Sequence, residues 1–199
     1  MIFDKEIVEE QAKRYDSFYL YDERKIVESI RRLKQHFPNI EFLYSIKCNS
    51  KPYVINSVFA QGLGADAASA GEVRKAVAAG QKKEKIYYSA AGKSMEDIES
   101  TMESAVLIAD SIEEIKRIQF AAKHRNLVVE IGIRINPNFS FYKNEGMPSK
   151  FGIDEEEALA FLRENRFSNV RVTGIHVHLR SQELNTELLA RYYENVLEL

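Results

Sequence analysis

The sequence predicts an α/β fold of the (β/α)8, or TIM barrel, type, incomplete, with about six of its βα units present. Short β-branched or aromatic runs alternate with longer amphipathic stretches along all 199 residues. The runs are continuously apolar rather than strictly alternating, which suits parallel strands covered on both faces. Polar residues close strand after strand: Lys47, Asp66, Ser89, Asp110, Arg134 with Asn136, and His178. Barrel enzymes place their chemistry at those C-terminal strand ends.

The N-terminus, Met1-Ile2-Phe3-Asp4-Lys5-Glu6, is acidic and helical in character and has no secretory signal pattern. Strands are expected at 42–46, 64–67, 85–89, 105–108, 128–133 and 172–178. Between the first two, 52–60 shows Val54, Ile55, Val58 and Phe59 at helical spacing. The helix over 69–79 places Ala70, Val73, Ala76 and Val77 on one side and stops at Gly80. Ser69 with Glu72 reads as a capping box at its start. Ser94, followed by Glu96 and Asp97, opens another helix. Ser111 with Glu114 reads as a second capping box, ahead of Ile115, Ile118 and Ala122. Helices over 154–165 and from Leu184 onward complete the pattern. No Gly-, Pro- or Ser-rich tract divides the chain, so residues 1–199 are read as one domain.

A doubly wound open sheet is the rival architecture. It would bring a glycine-rich phosphate turn after its first strand, and Ser45-Ile46-Lys47-Cys48-Asn49-Ser50 holds no glycine. Six strands do not close an eight-stranded barrel, so the expectation is a truncated barrel with unpaired edges that invite association. Hydrophobic residues make up 45% and charged residues 29%, ordinary values for a globular domain. A formal charge of -2 gives no footprint for nucleic acid or an anionic membrane. No apolar run reaches the roughly 20 residues of a membrane span. The single cysteine, Cys48, excludes an internal disulfide and a cysteine metal cluster. A cytoplasmic protein is the plain reading.

Four segments carry chemistry. Lys47 ends an apolar strand, and an amine desolvated there would be free to attack an aldehyde; the plain alternative is a lysine that snorkels to solvent. In Gly64-Ala65-Asp66-Ala67-Ala68-Ser69-Ala70-Gly71-Glu72-Val73, small residues let backbone approach a ligand closely, and Asp66 and Glu72 are the charged groups. Arg134 alternates with Ile133 and Ile135, so it points into a barrel, where it needs an anionic partner: a ligand or a structural carboxylate. His176 and His178 share a strand face. No third metal ligand lies near them in the sequence, which argues against zinc. Ser181 behind them suits a phosphate oxygen or an ordinary turn.

Together these segments resemble, in order, the motifs of the fold-type III pyridoxal-phosphate-dependent decarboxylases, the ornithine, diaminopimelate and arginine decarboxylase group. Residues 44–49 resemble the cofactor-lysine motif Y-A-V-K-A-N, and 64–73 resemble G-F-D-V-A-S-x-G-E-I. Arg134-Ile135-Asn136-Pro137 with Ser149-Lys150-Phe151-Gly152-Ile153 resembles R-[IV]-N-P followed by K-F-G-[IV]. Residues 174–182 resemble G-[IL]-H-x-H-[IV]-G-S-Q, and Phe18-Tyr19-Leu20-Tyr21-Asp22 resembles the P-[FL]-Y-V-Y-D that opens these enzymes.

The resemblance implies an alanine racemase-like barrel that binds pyridoxal 5′-phosphate. Lys47 would form the Schiff base, and Glu72 would keep the pyridine nitrogen protonated. Asp66 would support the lysine side of the ring and His178 would stack on its face. Ser181 would reach the phosphate, and Arg134 would join the polar network beneath. It implies decarboxylation of a small-molecule amino acid, meso-diaminopimelate first, with ornithine, arginine, lysine, carboxynorspermidine or a carrier-bound amino acid as rivals, and a homodimer in the full-length enzyme. Racemisation is the second enzymatic reading, opposed by the acid at Glu72. A non-catalytic pyridoxal-phosphate carrier is the third. The chain departs from the pattern at Arg180, where the family has glycine. The family's glycine-rich phosphate loop, its Glu-Pro-Gly-Arg segment and its C-terminal β-domain have no counterpart here. A poor decarboxylase is therefore expected of residues 1–199 alone.

Overall fold

The computed structural model describes residues 4–142, 145–164 and 167–199. Residues 1–3 of the helical N-terminus, 143 and 144 of the loop after Pro137, and 165 of the expected 154–165 helix lie outside the described residues.

A parallel sheet forms the frame. β1 (Leu43–Ser45), β2 (Gly64–Ala67), β3 (Ile86–Tyr88), β4 (Val106–Ala109) and β5 (Val129–Asn136) follow one another across it. β6 (Ile153–Asp154) adds to the last residues of β5, and β7 (Val170–His176) pairs with the rest of β5. All the pairings are parallel. The six expected strands are all present, and β6 is an addition. Two residues long, it is too short to show any periodicity. Among the described residues β1 pairs only with β2, and β7 only with β5, so the sheet bends around a cavity without closing.

The helices are α1 (Lys5–Ala12), α2 (Glu23–His36), α3 (Pro52–Phe59), α4 (Ala70–Ala78), α5 (Met95–Thr101), α6 (Ile112–His124), α7 (Glu155–Glu164) and α8 (Thr186–Glu198). The strand–helix alternation follows the sequence pattern from β1 onward. α2 is a helix the pattern does not single out, because its face is narrow. Ile26 and Ile30 pack on Val54, Val58 and Leu63, while the remainder of the helix is largely charged. Asp22 starts it by accepting the Arg24 amide at 3.0 Å.

The strands alternate more sharply than their apolar composition suggests. Ala65, Ala67, Ile86, Tyr88, Leu107, Ala109, Ile131, Ile133 and Ile135 turn outward into one core with Val73, Ala76, Ile98, Ile115, Ile118 and Phe161 of the helices. Each buried Ile or Leu there contributes about 1.5–3 kcal/mol relative to exposure. The intervening residues, among them Ser45, Asp66, Ile108 and Arg134, face a cavity of about 930 Å³. The expectation of strands covered by packing on both faces is thus corrected. Helices cover one face, and the other lines a hollow.

Helix starts bring a second correction. The complete capping box is at α5, where Ser94 and Asp97 bond reciprocally. At α4 and α6 only half of each expected box forms. Ser69 and Ser111 accept the amides of Glu72 and Glu114, both at 3.2 Å. The two glutamates, however, turn elsewhere, Glu72 to the Ala68 amide and Glu114 to Lys93.

Candidate active site

Lys47 sits on a 3-10 turn, Ile46–Cys48, that follows β1 directly. Ile46 is fully buried and anchors the turn. The Tyr44 hydroxyl donates to the Asn49 carbonyl at 3.0 Å and fixes its far end. Lys47 itself is exposed, as in the second of the two sequence alternatives, a lysine that reaches solvent. It lines the 930 Å³ cavity, which runs along the inner face of the sheet from Glu84, Val106 and Glu130 at the strand starts to His178 and Ser181 beyond the strand ends.

Asp66 stands beside it on β2, in register with Ser45. Both carboxylate oxygens are engaged: the Ser45 hydroxyl donates to one at 2.9 Å and the Ser89 hydroxyl to the other at 2.6 Å. A single acid thus ties the ends of β1, β2 and the segment after β3.

Arg134 projects from β5 into the same cavity. Its guanidinium is 3.3 Å from buried Asp110 and lies 4.8 Å from the centre of the Phe151 ring. Phe151 reaches that position because Gly152 has φ +81, and a Cβ there would come within 3.2 Å of the Arg134 carbonyl. The sequence alternatives for Arg134, ligand anion or structural carboxylate, are therefore both met in part, since Asp110 supplies the carboxylate and the guanidinium still faces the cavity.

β7 ends at His176, in register with Arg134. His178 lies beyond the strand, so the two histidines are not a pair on one strand face, yet both line the cavity. The Nδ1 of His176 is buried without a hydrogen-bond partner, although the residue lines the cavity. Burial, then the neighbouring Arg134, pushes the His176 imidazolium toward deprotonation, against the pull of Asp66. Partial enclosure, Arg134 and Lys47 push His178 the same way. Both rings are held toward the neutral form, in which one nitrogen donates and the other accepts.

Ser181 is exposed and lines the cavity. Glu72 is the predicted site residue that does not line it. From the first turn of α4 its Oε2 accepts the Ala68 amide at 2.7 Å, and Ala68 is in the wall. Lys47, Asp66, Arg134, His178 and Ser181 therefore meet in one cavity, with Glu72 one residue contact behind it.

Arg180 stands at the rim beside Tyr142, with its guanidinium 5.4 Å from the ring centre and 3.5 Å from Glu183. A second cavity of about 210 Å³ lies between Arg180, Tyr142 and Met147 and shares Arg134, Phe151 and His178 with the first.

Sequence reasoning missed the pair behind the wall. Lys93 is 1% exposed, and its ammonium donates to Ala90 O at 2.5 Å, Ile108 O at 2.6 Å and Glu114 Oε1 at 2.7 Å. A signal existed: Glu114, Ile118 and Ala121 fall on one helical face, a buried one. The capping-box reading of Ser111 and Glu114 concealed it.

The family model described as pyridoxal-dependent decarboxylase, pyridoxal binding domain, matches residues 23–199. The L-glutamyl-[BtrI acyl-carrier protein] decarboxylase of Niallia circulans is 33% identical over 100% of this chain and 49% of its own length. A diaminopimelate decarboxylase of Helicobacter pylori is 33% identical over 92% of this chain and 47% of its own. The crystal structure of Helicobacter pylori diaminopimelate decarboxylase complexed with L-lysine superposes with a TM-score of 0.85 at 30% identity, covering 96% of this chain and 51% of that one. The chain spans about half the length of the curated relatives it matches.

Proposed function

The chain belongs to the pyridoxal-dependent decarboxylases, through their pyridoxal-binding domain, and from that premise we propose that its cavity holds pyridoxal 5′-phosphate for the decarboxylation of a diamino acid, meso-diaminopimelate first. The observation that carries this is the convergence of Lys47, Asp66, Arg134, His178 and Ser181 on one cavity. The donor set fits the coenzyme. An exposed amine would meet the aldehyde, and a serine hydroxyl and a guanidinium would meet the phosphate.

Each residue has a task. Lys47 would be the nucleophile that anchors the coenzyme. Asp66, held by two serine hydroxyls, would set a carboxyl group beside that amine. His178, biased toward its neutral form, offers a flat ring without adding positive charge. Ser181 donates to the phosphate, and Arg134 balances its charge across the cavity. Glu72 would serve the ring nitrogen by turning its carboxylate from the Ala68 amide behind the wall toward the cavity, where it would hold the proton in place. Bound there, the coenzyme supplies the electron sink that accepts the electron pair left when the Cα–carboxylate bond breaks.

A second substrate reading, an amino acid carried on an acyl-carrier protein, draws on the Niallia circulans relative, which aligns with this chain from end to end. A homodimeric full-length enzyme and a cytoplasmic location belong to the same proposal. The test is pyridoxal phosphate titration followed by borohydride reduction and peptide mass mapping, then release of labelled CO2 from diaminopimelate, ornithine and a glutamyl carrier protein by the full-length protein. Coenzyme fixed on Lys47 and CO2 from one of these substrates are expected. Coenzyme fixed elsewhere, or racemised substrate without CO2, would overturn the reading.

A further inference from the structure

Resting on the reading of the cavity as a coenzyme site, we propose that Lys93 is a positioning residue. By gripping both ends of the segment 108–114 it fixes Asp110, and through Asp110 the guanidinium that Arg134 presents to the cavity.

The grip is complete. The side chains of Lys93 and Glu114 are 0% and 1% exposed. An ammonium has three N–H donors, and the Ala90 carbonyl, the Ile108 carbonyl and the Glu114 carboxylate take them. The Tyr88 ring closes the remaining side, its centre 4.9 Å from Nζ. The Ile108 carbonyl lies one residue past the last β3–β4 pair, Tyr88 with Leu107, where the strand ladder has stopped. Lys93 supplies the donor there. Glu114, at the other end of the segment, is on the first turn of α6 and points inward rather than back to its cap.

Between the two gripped ends sits Asp110, 8% exposed, with Arg134 as its ion-pair partner at 3.3 Å. Ile108 adds a second constraint on Arg134. A Cβ at Gly132 would lie 2.5 Å from Ile108 Cδ1, so Ile108 packs directly on the β5 backbone two residues before Arg134. Ala90 and Ile108 are themselves wall residues. The ammonium therefore lies behind three parts of the wall at once.

Stability alone is a weak reason for such a pair. Removing two ions from water costs energy that their attraction often fails to recover, and apolar side chains of similar volume commonly serve as well. Burial works against both charges, pushing the Lys93 amine toward its neutral form and the Glu114 carboxyl toward its protonated one. An apolar pair cannot, however, hold two backbone carbonyls and a helix start at one point.

The experiment measures pyridoxal phosphate affinity by absorbance for the full chain carrying no substitution, Lys93→Met with Glu114→Leu, Asp110→Asn, or all three. The apolar pair is expected to unfold at a similar urea concentration yet bind about tenfold more weakly, as outer residues that orient ligating ones do elsewhere. The triple variant is expected to bind no more weakly than the weaker of its parents, because both changes disable one device. Affinity unchanged in the apolar pair overturns the proposal. So do losses that multiply to within about twofold, the mark of independent sites. If the apolar pair does not fold, the neutral pair Lys93→Gln with Glu114→Gln, which leaves no buried charge unpaired, carries the same cycle. A parent chain that takes up no coenzyme overturns the coenzyme site itself, which separates that failure from this one.

Discussion

Lys47 and Lys93 both follow a strand of one parallel sheet, and their surroundings are opposite. Lys47 is exposed on the cavity, at the end of a turn pinned by Ile46 and Tyr44. Lys93 is enclosed, with each of its donors given to an acceptor within 2.7 Å. The expectation from sequence joined burial with reactivity in one amine, and the structure separates them. An amine whose three protons are all taken inside the protein holds backbone in place. An amine at the edge of a cavity is within reach of a ligand.

The largest test of that contrast is Lys93→Ala. Leaving Glu114 buried without its partner is expected to cost about 3–5 kcal/mol, read as a lower urea midpoint. Lys47→Ala is expected to shift stability by no more than about 0.5 kcal/mol, as surface changes do, while abolishing coenzyme retention. Reversed results for the two alanines would break the comparison. A chemical test sharpens it: brief reduction with pyridoxal phosphate and borohydride is expected to label Lys47 at least about tenfold more than Lys93 in the folded chain, the protection that enclosure confers. Mass mapping reads the ratio, and comparable labelling in both states would remove the distinction. Smaller still is Ser111→Ala. It is expected to cost about 1 kcal/mol, the usual worth of an N-cap, since the Glu114 half of that cap is already committed to Lys93. A cost equal to that of Lys93→Ala would mean that the cap, not the ammonium, holds the segment.

The smallest effect is in pH. His176 has a folded-state pKa below its unfolded value of 6.5, because burial and Arg134 disfavour the charged ring. The unfolded chain then binds more protons below that value, so stability is fully present above about pH 6.5 and is lost as pH falls toward the folded pKa. Urea midpoints at pH 7.5 and 5.5 should show this decline, and His176→Gln should flatten it.

The sheet was legible because β-branched and aromatic runs repeat between helical segments, and the strand-end polar residues from Lys47 to His178 marked the cavity mouth. What periodicity could not convey was which face was hollow. Ile108 and Gly132 read as core residues, yet they line the wall. Local rules also competed with distant ones. At Ser111 and Glu114 the capping box was the economical local reading, and a lysine twenty-one residues away in sequence took the carboxylate instead. Glu72 shows the same competition with Ala68. The amine of Lys47 was found by its motif, while its exposure depends on the turn that follows β1, which no periodicity reports.

Asp66 has a consequence of its own. Because it draws the hydroxyl hydrogens of Ser45 and Ser89 toward itself, the lone pairs of those oxygens are left to look outward. The same stretch of wall carries the Lys47 amine, so it offers a guest one donor among several acceptors, whereas the Arg134 guanidinium offers donors alone.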